Sequence, residues 1–235
     1  MYSGSRMPIL AALGVILLIA IVFGPQWWIK RVLARHGAER ADLPGTGGEL
    51  ARHLLDEASL TQVTVEKTDL GDHYDPQARV VRLLPQHHDG RSVAAVAVAA
   101  HEVSHAVQHA RGERSFMLRL ALIAKVTWID KVASGLLLLS PLVAILLKSP
   151  ILFLLQILAG VALLVVRVAV HVTTLPVEFD ASFGKALPVL QRGAYLSGDD
   201  MPAARHVLRA AAWTYVAAAL ATLLDIARWF RMLRF

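Results

Sequence analysis

Long apolar stretches alternate with polar stretches along this chain, and the alternation predicts its main elements. A helix that crosses a bilayer needs about 20 apolar residues. Four blocks of the sequence come close to this length. The predicted membrane helices cover residues 8–29, 132–147, 151–172 and 207–227, the last being either a span or a membrane-associated helix.

The first block is predicted to be an uncleaved anchor rather than a secretory signal peptide. Arg6 is the one charged residue ahead of it, and the segment from Gly24 to Trp28 is a poor cleavage site. Trp27 and Trp28 are suited to the membrane interface.

The polar stretch after the first block predicts a part with both helix and sheet. Thr46 and Glu49 have the spacing of a capping box, which indicates the start of a helix. Residues 62–68 and 78–84 have the apolar and turn pattern of two short strands. We expect these strands to form a small β-hairpin that packs on an alanine-rich helix over residues 92–111.

The composition favours a membrane protein and excludes some chemistry. Hydrophobic residues make up 56% of the chain and charged residues 18%, whereas soluble domains average about 25% charged residues. The chain has no cysteine, which excludes thiolate metal ligands and cysteine nucleophiles. The sequence therefore predicts a mainly α, polytopic α-helical membrane protein, with residues 1–235 forming a single domain.

Lysines and arginines cluster between the first and second apolar blocks and after the third. The positive-inside rule places both polar stretches, residues 30–115 and 176–205, on the cytosolic side. We therefore expect a multi-pass protein of the cell membrane, in contact with the lipid bilayer, whose active site faces the cytosol. The net charge of +6 does not indicate a nucleic acid partner, because no basic run is interleaved with aromatic residues.

The predicted helix over residues 92–111 contains a metal-binding signature, since residues 101–105 read HEVSH. Two histidines four residues apart lie on one helix face and can bind a single zinc ion. The glutamate between them can take a proton from an activated water. The motif predicts a hydrolase with one Zn²⁺ ion, with His101 and His105 as metal ligands and Glu102 as the catalytic base.

A third ligand is needed, because catalytic zinc takes three protein ligands and keeps one position for water. Glu113 and Glu178 are the glutamates that follow the motif, and Glu113 is too close in sequence to fold back easily. Glu178 lies in a helix predicted over residues 176–205, which Pro176 can start. Glu178 is therefore the preferred third ligand, with Asp180 as the next choice.

The chain resembles the YugP-type neutral zinc metallopeptidases of bacterial membranes, which are similar to the gluzincin group that includes HtpX-type and CAAX-prenyl membrane proteases. The matching stretches run in order nearly end to end, over residues 46–51, 71–76, 95–109, 177–182 and 207–218. In the broader group the third ligand is the glutamate of an E-x-x-A-D-like helix, which corresponds here to Glu178. Ser182 stands where an acid often occurs. The resemblance implies a peptidase acting on a peptide or membrane-protein substrate.

Six further residues are predicted to support the zinc site or to contact substrate. Asp180, His73 and Asp75 are candidates for hydrogen bonding around the site, and Asp75 is equally typical of a turn. Donors that could stabilise a reaction oxyanion are also needed. The candidates for that role are His206, Arg209 and Tyr215.

The predicted function is a membrane-embedded zinc-dependent endopeptidase, which hydrolyses peptide bonds with zinc-activated water and with Glu102 as general base. The alternative is a catalytically inactive zinc-binding scaffold or a partner-binding membrane protein. Such a closed site would need a fourth protein ligand, for which His73 or His109 is available.

Overall fold

The computed structural model describes residues 6–128, 149–214, 216, 217 and 220, and these residues are mainly helical with one small sheet. The helices are α1 (Arg6–His36), α2 (Gly47–Glu57), α3 (Pro85–His88), α4 (Val93–Ala110), α5 (114–128), α6 (Pro150–Phe179), α7 (Leu187–Arg192) and α8 (Met201–Ala212). The strands are β1 (Thr64–Lys67), β2 (His73–Asp75) and β3 (Val80–Leu83). A π-helical segment, Asp180–Ala186, joins α6 to α7.

The chain divides into two compact units. One comprises the chain up to Gly24, Leu118–Thr174 and the chain from Tyr215 onwards. The other comprises Pro25–Met117 and Leu175–Thr214, and we call it the HExxH unit because it contains residues 101–105. The histidines of this motif and Glu178 all belong to the HExxH unit.

The prediction of a polytopic membrane protein is wrong. Among the residues that the structure describes, none of the helices is both long enough and apolar enough to cross a bilayer. The 31 residues of α1 and the 30 of α6 both end in polar turns, which carry Arg35, His36 and Glu178. The predicted helix over 132–147 and part of the one over 207–227 lie outside the described residues.

Helix α4 forms the centre of the HExxH unit. Ser92 caps its N-terminus, since its side-chain oxygen accepts a hydrogen bond of 3.0 Å from the backbone N–H of Ala95. All residues from Val93 to Ala106 are buried. A helix that is buried on every face needs partners on every face, and here α2, the sheet, α8 and the π-helical segment pack against it.

The sheet has the strand order β1-β3-β2. β2 and β3 are antiparallel, with Tyr74 opposite Val81, whereas β1 and β3 are parallel. The predicted strands over 62–68 and 78–84 correspond to β1 and β3, so the prediction that these two form a hairpin is wrong. The connection between them contains β2 and brings the chain back, so that β3 runs in the same direction as β1. The hairpin is instead formed by β2 and β3.

The segment that carries Glu178 also differs from expectation. Pro176 lies inside α6 rather than at the start of a new helix, and the helical path continues through the π-helical segment into α7. Proline removes one backbone donor, which a helix tolerates at the cost of a local irregularity. Glu178 therefore belongs to the last turn of α6, directly ahead of the π-helical segment.

Candidate metal centre

Three buried side chains from two helices converge in the HExxH unit: His101 and His105 from α4, and Glu178 from α6. Nε2 of His101 lies 3.2 Å and Nε2 of His105 lies 3.4 Å from the same carboxylate oxygen, Oε2 of Glu178. The two Nε2 atoms are 3.2 Å apart. Within the described part of the chain, this is the group of three metal-binding side chains that could hold an ion.

The spacing of these three atoms fits a tetrahedral zinc site. Zinc binds histidine nitrogen and carboxylate oxygen at about 2.0–2.2 Å, so two ligands of a tetrahedron lie about 3.3–3.5 Å apart. The separations of 3.2–3.4 Å are close to that value. The three atoms therefore stand near three corners of one coordination tetrahedron without any rearrangement of the backbone.

Gln108 determines which nitrogen of His105 carries the proton. Its amide nitrogen donates to the carbonyl oxygen of Val177 at 3.0 Å and to Oδ2 of Asp180 at 2.8 Å, which uses both amide hydrogens. Its Oε1 therefore faces Nδ1 of His105 at 2.9 Å. Because an amide oxygen only accepts, Nδ1 is the protonated nitrogen and Nε2 presents its lone pair to the candidate metal position.

Ser182 does the same for His101. Its hydroxyl donates to the carbonyl oxygen of Leu208 at 3.0 Å, and a serine has one hydrogen to give. The same oxygen lies 3.0 Å from Nδ1 of His101 and accepts from it. In the neutral imidazole, Nε2 of His101 is therefore the nitrogen with the lone pair. Both imidazoles are held in the tautomer that a metal ion requires.

The result is a buried group of three acceptor atoms facing one another. Burial raises the pKa of Glu178, but positive charge on His105 and His101, present when these imidazoles carry protons in place of a metal ion, outweighs burial and holds the pKa of Glu178 well below its ordinary value. Two imidazole lone pairs and one carboxylate are unfavourable together in the interior unless a cation lies between them. Nitrogen and oxygen donors of this kind, in tetrahedral arrangement, suit zinc.

Glu102 and Phe116 complete the immediate surroundings of the two histidines. Glu102 follows His101 on α4 and is 7% exposed. The ring of Phe116 packs against that of His105 with a centroid separation of 6.0 Å, and Phe116 is 3% exposed. This apolar wall lowers the local dielectric, which strengthens electrostatic interactions within the site.

Both histidines considered as a fourth ligand have other partners. His109 has its Nδ1 2.9 Å from the hydroxyl of Tyr74, and its ring packs on Phe116 at 5.6 Å. His73 has its Nδ1 2.8 Å from the carbonyl oxygen of Gly71. Neither belongs to the group of three among the described residues.

The two aspartates proposed to support the site lie in different places. Asp180 contacts the site indirectly, because it accepts from Gln108 and pairs with Lys185. Asp75 accepts from the backbone N–H of Gln77 and Ala78 and pairs with Arg82 at 2.6 Å, so it stabilises the turn between β2 and β3. These contacts match the role of Asp75 as a turn residue.

Two of the three candidate oxyanion donors, His206 and Arg209, lie on α8. His206 has its Nδ1 3.4 Å from Nε2 of His36, and its ring lies 5.8 Å from that of Trp28. Arg209 is exposed on α8. Tyr215 lies outside the described residues.

Gln108 and Ser182 are the residues of the site that the sequence did not reveal. Each lies one helical turn beyond a ligand, Gln108 three residues after His105 and Ser182 four after Glu178, which places it on the ligand's face of the helix. That spacing was the available signal. It did not show which imidazole each side chain contacts, because this depends on how α4 and α6 pack together.

Comparison with known proteins gives two matches along nearly the whole chain. A family model described as "Putative neutral zinc metallopeptidase" matches residues 11–234. A protein of Bacillus subtilis (strain 168) named "Putative membrane protease YugP" is 37% identical over 220 residues, covering 89% of this chain and 90% of that relative. No solved structure matches the chain.

Proposed function

The chain belongs to the neutral zinc metallopeptidase family, as its resemblance predicted, and from this premise we propose that it is an endopeptidase with one zinc ion. In this proposal His101, His105 and Glu178 are the metal ligands and Glu102 is the general base. The substrate is a peptide or a membrane protein.

The observation that carries the proposal is the three-ligand group beside a glutamate on the same helix. Structural zinc sites have four protein ligands, whereas catalytic sites have three and keep a position for water. Within the described residues the group has three members, and the histidines suggested as a fourth have other hydrogen-bond partners. This favours a catalytic site over an inactive zinc-binding scaffold.

The chemistry follows from the positions of the protein's own groups. A zinc ion bound here would act as a Lewis acid and lower the pKa of a water molecule towards neutrality. Glu102 accepts the proton of the attacking water and passes it to the amine that leaves. Gln108 and Ser182 keep the lone pairs of His105 and His101 directed at the site throughout. The ring of Phe116 packs against that of His105.

We also propose that the chain works at the cell membrane, with its site on the cytosolic side. The relative from Bacillus subtilis is named a membrane protease. Apolar side chains of α1 are exposed, with Ile16 and Leu17 at 61% and Trp27 at 62%, which suits contact with lipid. Cell fractionation tests this, followed by trypsin digestion of oriented vesicles. Release of fragments of the HExxH unit from inside-out vesicles is expected, and recovery of the chain in the soluble fraction would overturn it.

The catalytic proposal is tested by comparing wild type with Glu102→Gln. Both proteins are purified in detergent, their zinc content is measured, and cleavage of casein and of a detergent-solubilised membrane protein is followed. Glu102→Gln should bind one equivalent of zinc and lose about 10²–10⁴-fold in cleavage rate, the usual contribution of a general base. Equal cleavage by both proteins would refute the role of Glu102.

A matched control separates loss of the base from general damage. Glu66→Gln makes the same chemical change on the exposed face of β1, where Glu66 contacts Arg82 at 3.5 Å. This variant should cleave at the wild-type rate. If wild type itself contains no zinc and does not cleave after zinc is supplied, the peptidase proposal fails as a whole.

A further inference from the structure

The π-helical segment after Glu178 creates a contact that an α-helix would not allow. Here the backbone N–H of Leu187 bonds to the carbonyl of Ser182, five residues earlier. In an α-helix, residues five apart are separated by about 140° around the axis. In this segment Asp180 and Lys185 are five apart and form an ion pair. The wider turn therefore brings the two charges together.

Gly184 makes room for that pair. A Cβ atom at this position would lie 2.3 Å from Oδ1 of Asp180, a distance that side chains do not tolerate. The carboxylate of Asp180 therefore passes over the bare Cα of Gly184. Lys185 is held from its other side by Glu113, at 3.1 Å, in the loop after α4. The orientation of Asp180 is thus fixed by its own turn and by the end of α4.

Asp180 in turn holds the amide of Gln108. If Oδ2 of Asp180 were withdrawn, one amide hydrogen of Gln108 would lose its acceptor, and the carbonyl oxygen of Val177 alone would oppose a half turn of the amide. Its NH₂ group would then face Nδ1 of His105. A donor at that place requires an unprotonated Nδ1, which moves the proton to Nε2 and removes the lone pair that binds the metal.

We propose that Asp180, held by Lys185 over Gly184, is a positioning residue that fixes the zinc-binding tautomer of His105 through Gln108. The proposal rests on the zinc site of the proposed function. It adds a determinant of metal affinity that touches neither the metal position nor any ligand. Partners at this distance from a metal are worth about 10–100-fold in affinity.

The test uses the full chain and measures zinc affinity by competition with a chromophoric chelator. We expect Asp180→Ala and Gly184→Ala to bind zinc about 10–100-fold more weakly than wild type. Asp180→Asn keeps an oxygen that can accept from Gln108, so it should retain most of the affinity. Asp69→Ala and Gly198→Ala are the matched controls, because Asp69 is exposed and a Cβ at Gly198 meets nothing within 4 Å; both should bind as wild type.

A second measurement reports the tautomer itself. Nitrogen-15 NMR of the zinc-free protein should show His105 protonated at Nδ1 in wild type and in Asp180→Asn. Asp180→Ala should show a larger fraction protonated at Nε2 than wild type, because one of the two acceptors that orient the Gln108 amide is gone. If circular dichroism shows that Gly184→Ala is unfolded, the proposal is tested with Asp180→Ala and Lys185→Met instead. Both should bind zinc more weakly than wild type.

The outcomes separate this proposal from the proposed function. If wild type binds zinc tightly and Asp180→Ala binds it equally well with the same tautomer, the positioning role is refuted and the zinc site stands. If wild type does not bind zinc, the proposed function fails and this proposal fails with it.

Discussion

Removing the hydroxyl of Ser182 should weaken zinc binding far more than it weakens the fold. In Ser182→Ala, Nδ1–H of His101 loses its acceptor at 3.0 Å in a position that is fully buried. An unsatisfied buried donor costs about 1–3 kcal/mol. The imidazole can avoid most of that cost by moving its proton to Nε2, which then donates to Oε2 of Glu178 at 3.2 Å. The zinc-free protein therefore loses little stability, but Nε2 of His101 no longer has a lone pair for the metal.

The expected loss of zinc affinity follows from this shift of the His101 proton from Nδ1 to Nε2. Binding must first restore the Nδ1–H tautomer, so affinity should fall by about 10–100-fold, as is usual for partners of metal-bound histidines. This corresponds to about 1.4–2.7 kcal/mol. The assay is competition with a chromophoric chelator, combined with urea unfolding of the zinc-free protein. Unfolding free energy should fall by about 1 kcal/mol or less.

Ser104→Ala provides the control. Ser104 is also buried on α4, but its hydroxyl donates to the carbonyl of Ala100 at 2.7 Å, within the same helix. That carbonyl keeps its helical partner after the change, and alanine is the better helix former. Zinc affinity should therefore be unchanged. Equal affinity of Ser182→Ala and wild type, or an equal loss in both variants, would refute the reasoning.

Glu178→Gln retains the shape of the side chain but removes the charge, so zinc binding should be lost in the same titration, and retention of wild-type affinity would exclude Glu178 as a ligand. Chelation should accelerate amide exchange across residues 177–187, because at a free zinc concentration of 100 times Kd the bound state gains about 2.7 kcal/mol; equal exchange with and without zinc would contradict this. Burial is the largest cause that lowers the pKa of His36, and the charge of the neighbouring His206 lowers it further. The folded protein should therefore lose stability as pH falls from about 6.5, the pKa of an unperturbed histidine, through the lowered pKa of His36. His206→Ala should raise the pKa of His36 in an NMR titration, and the pH range over which stability is lost should become narrower.

The sequence was sufficient for the features that local rules control. The helix predicted over residues 92–111 is Val93–Ala110 in the structure, and the capping box of Thr46 and Glu49 is present as predicted. Both follow from short-range rules. Glu178 is predicted by elimination, because few glutamates follow the motif. The structure brings this residue to the two histidines.

The errors arose where tertiary packing decides. The sequence predicts the strands β1 and β3, but their parallel pairing depends on where the intervening chain runs, which their own residues do not encode. Pro176 satisfied the rules for a helix start, yet the preceding turns of α6 continue through it. Apolar length predicted membrane spans, but the final turns of α1 and α6 carry the polar residues of the HExxH unit.

One short stretch, Glu178 to Lys185, sets the state of all three candidate ligands. It provides Glu178 itself, it holds His101 through Ser182, and it holds His105 through Asp180 and Gln108. The oxygen atoms that face the two imidazoles belong to the amide of Gln108 and the hydroxyl of Ser182, and both groups are neutral. The carboxylate of Glu178 is the anion among the three ligands. A displacement of this stretch would alter the tautomers of His101 and His105 and, at the same time, would move the carboxylate of Glu178 away from them. Metal binding should therefore respond to the π-helical segment as a unit, and single substitutions within it should be non-additive rather than independent.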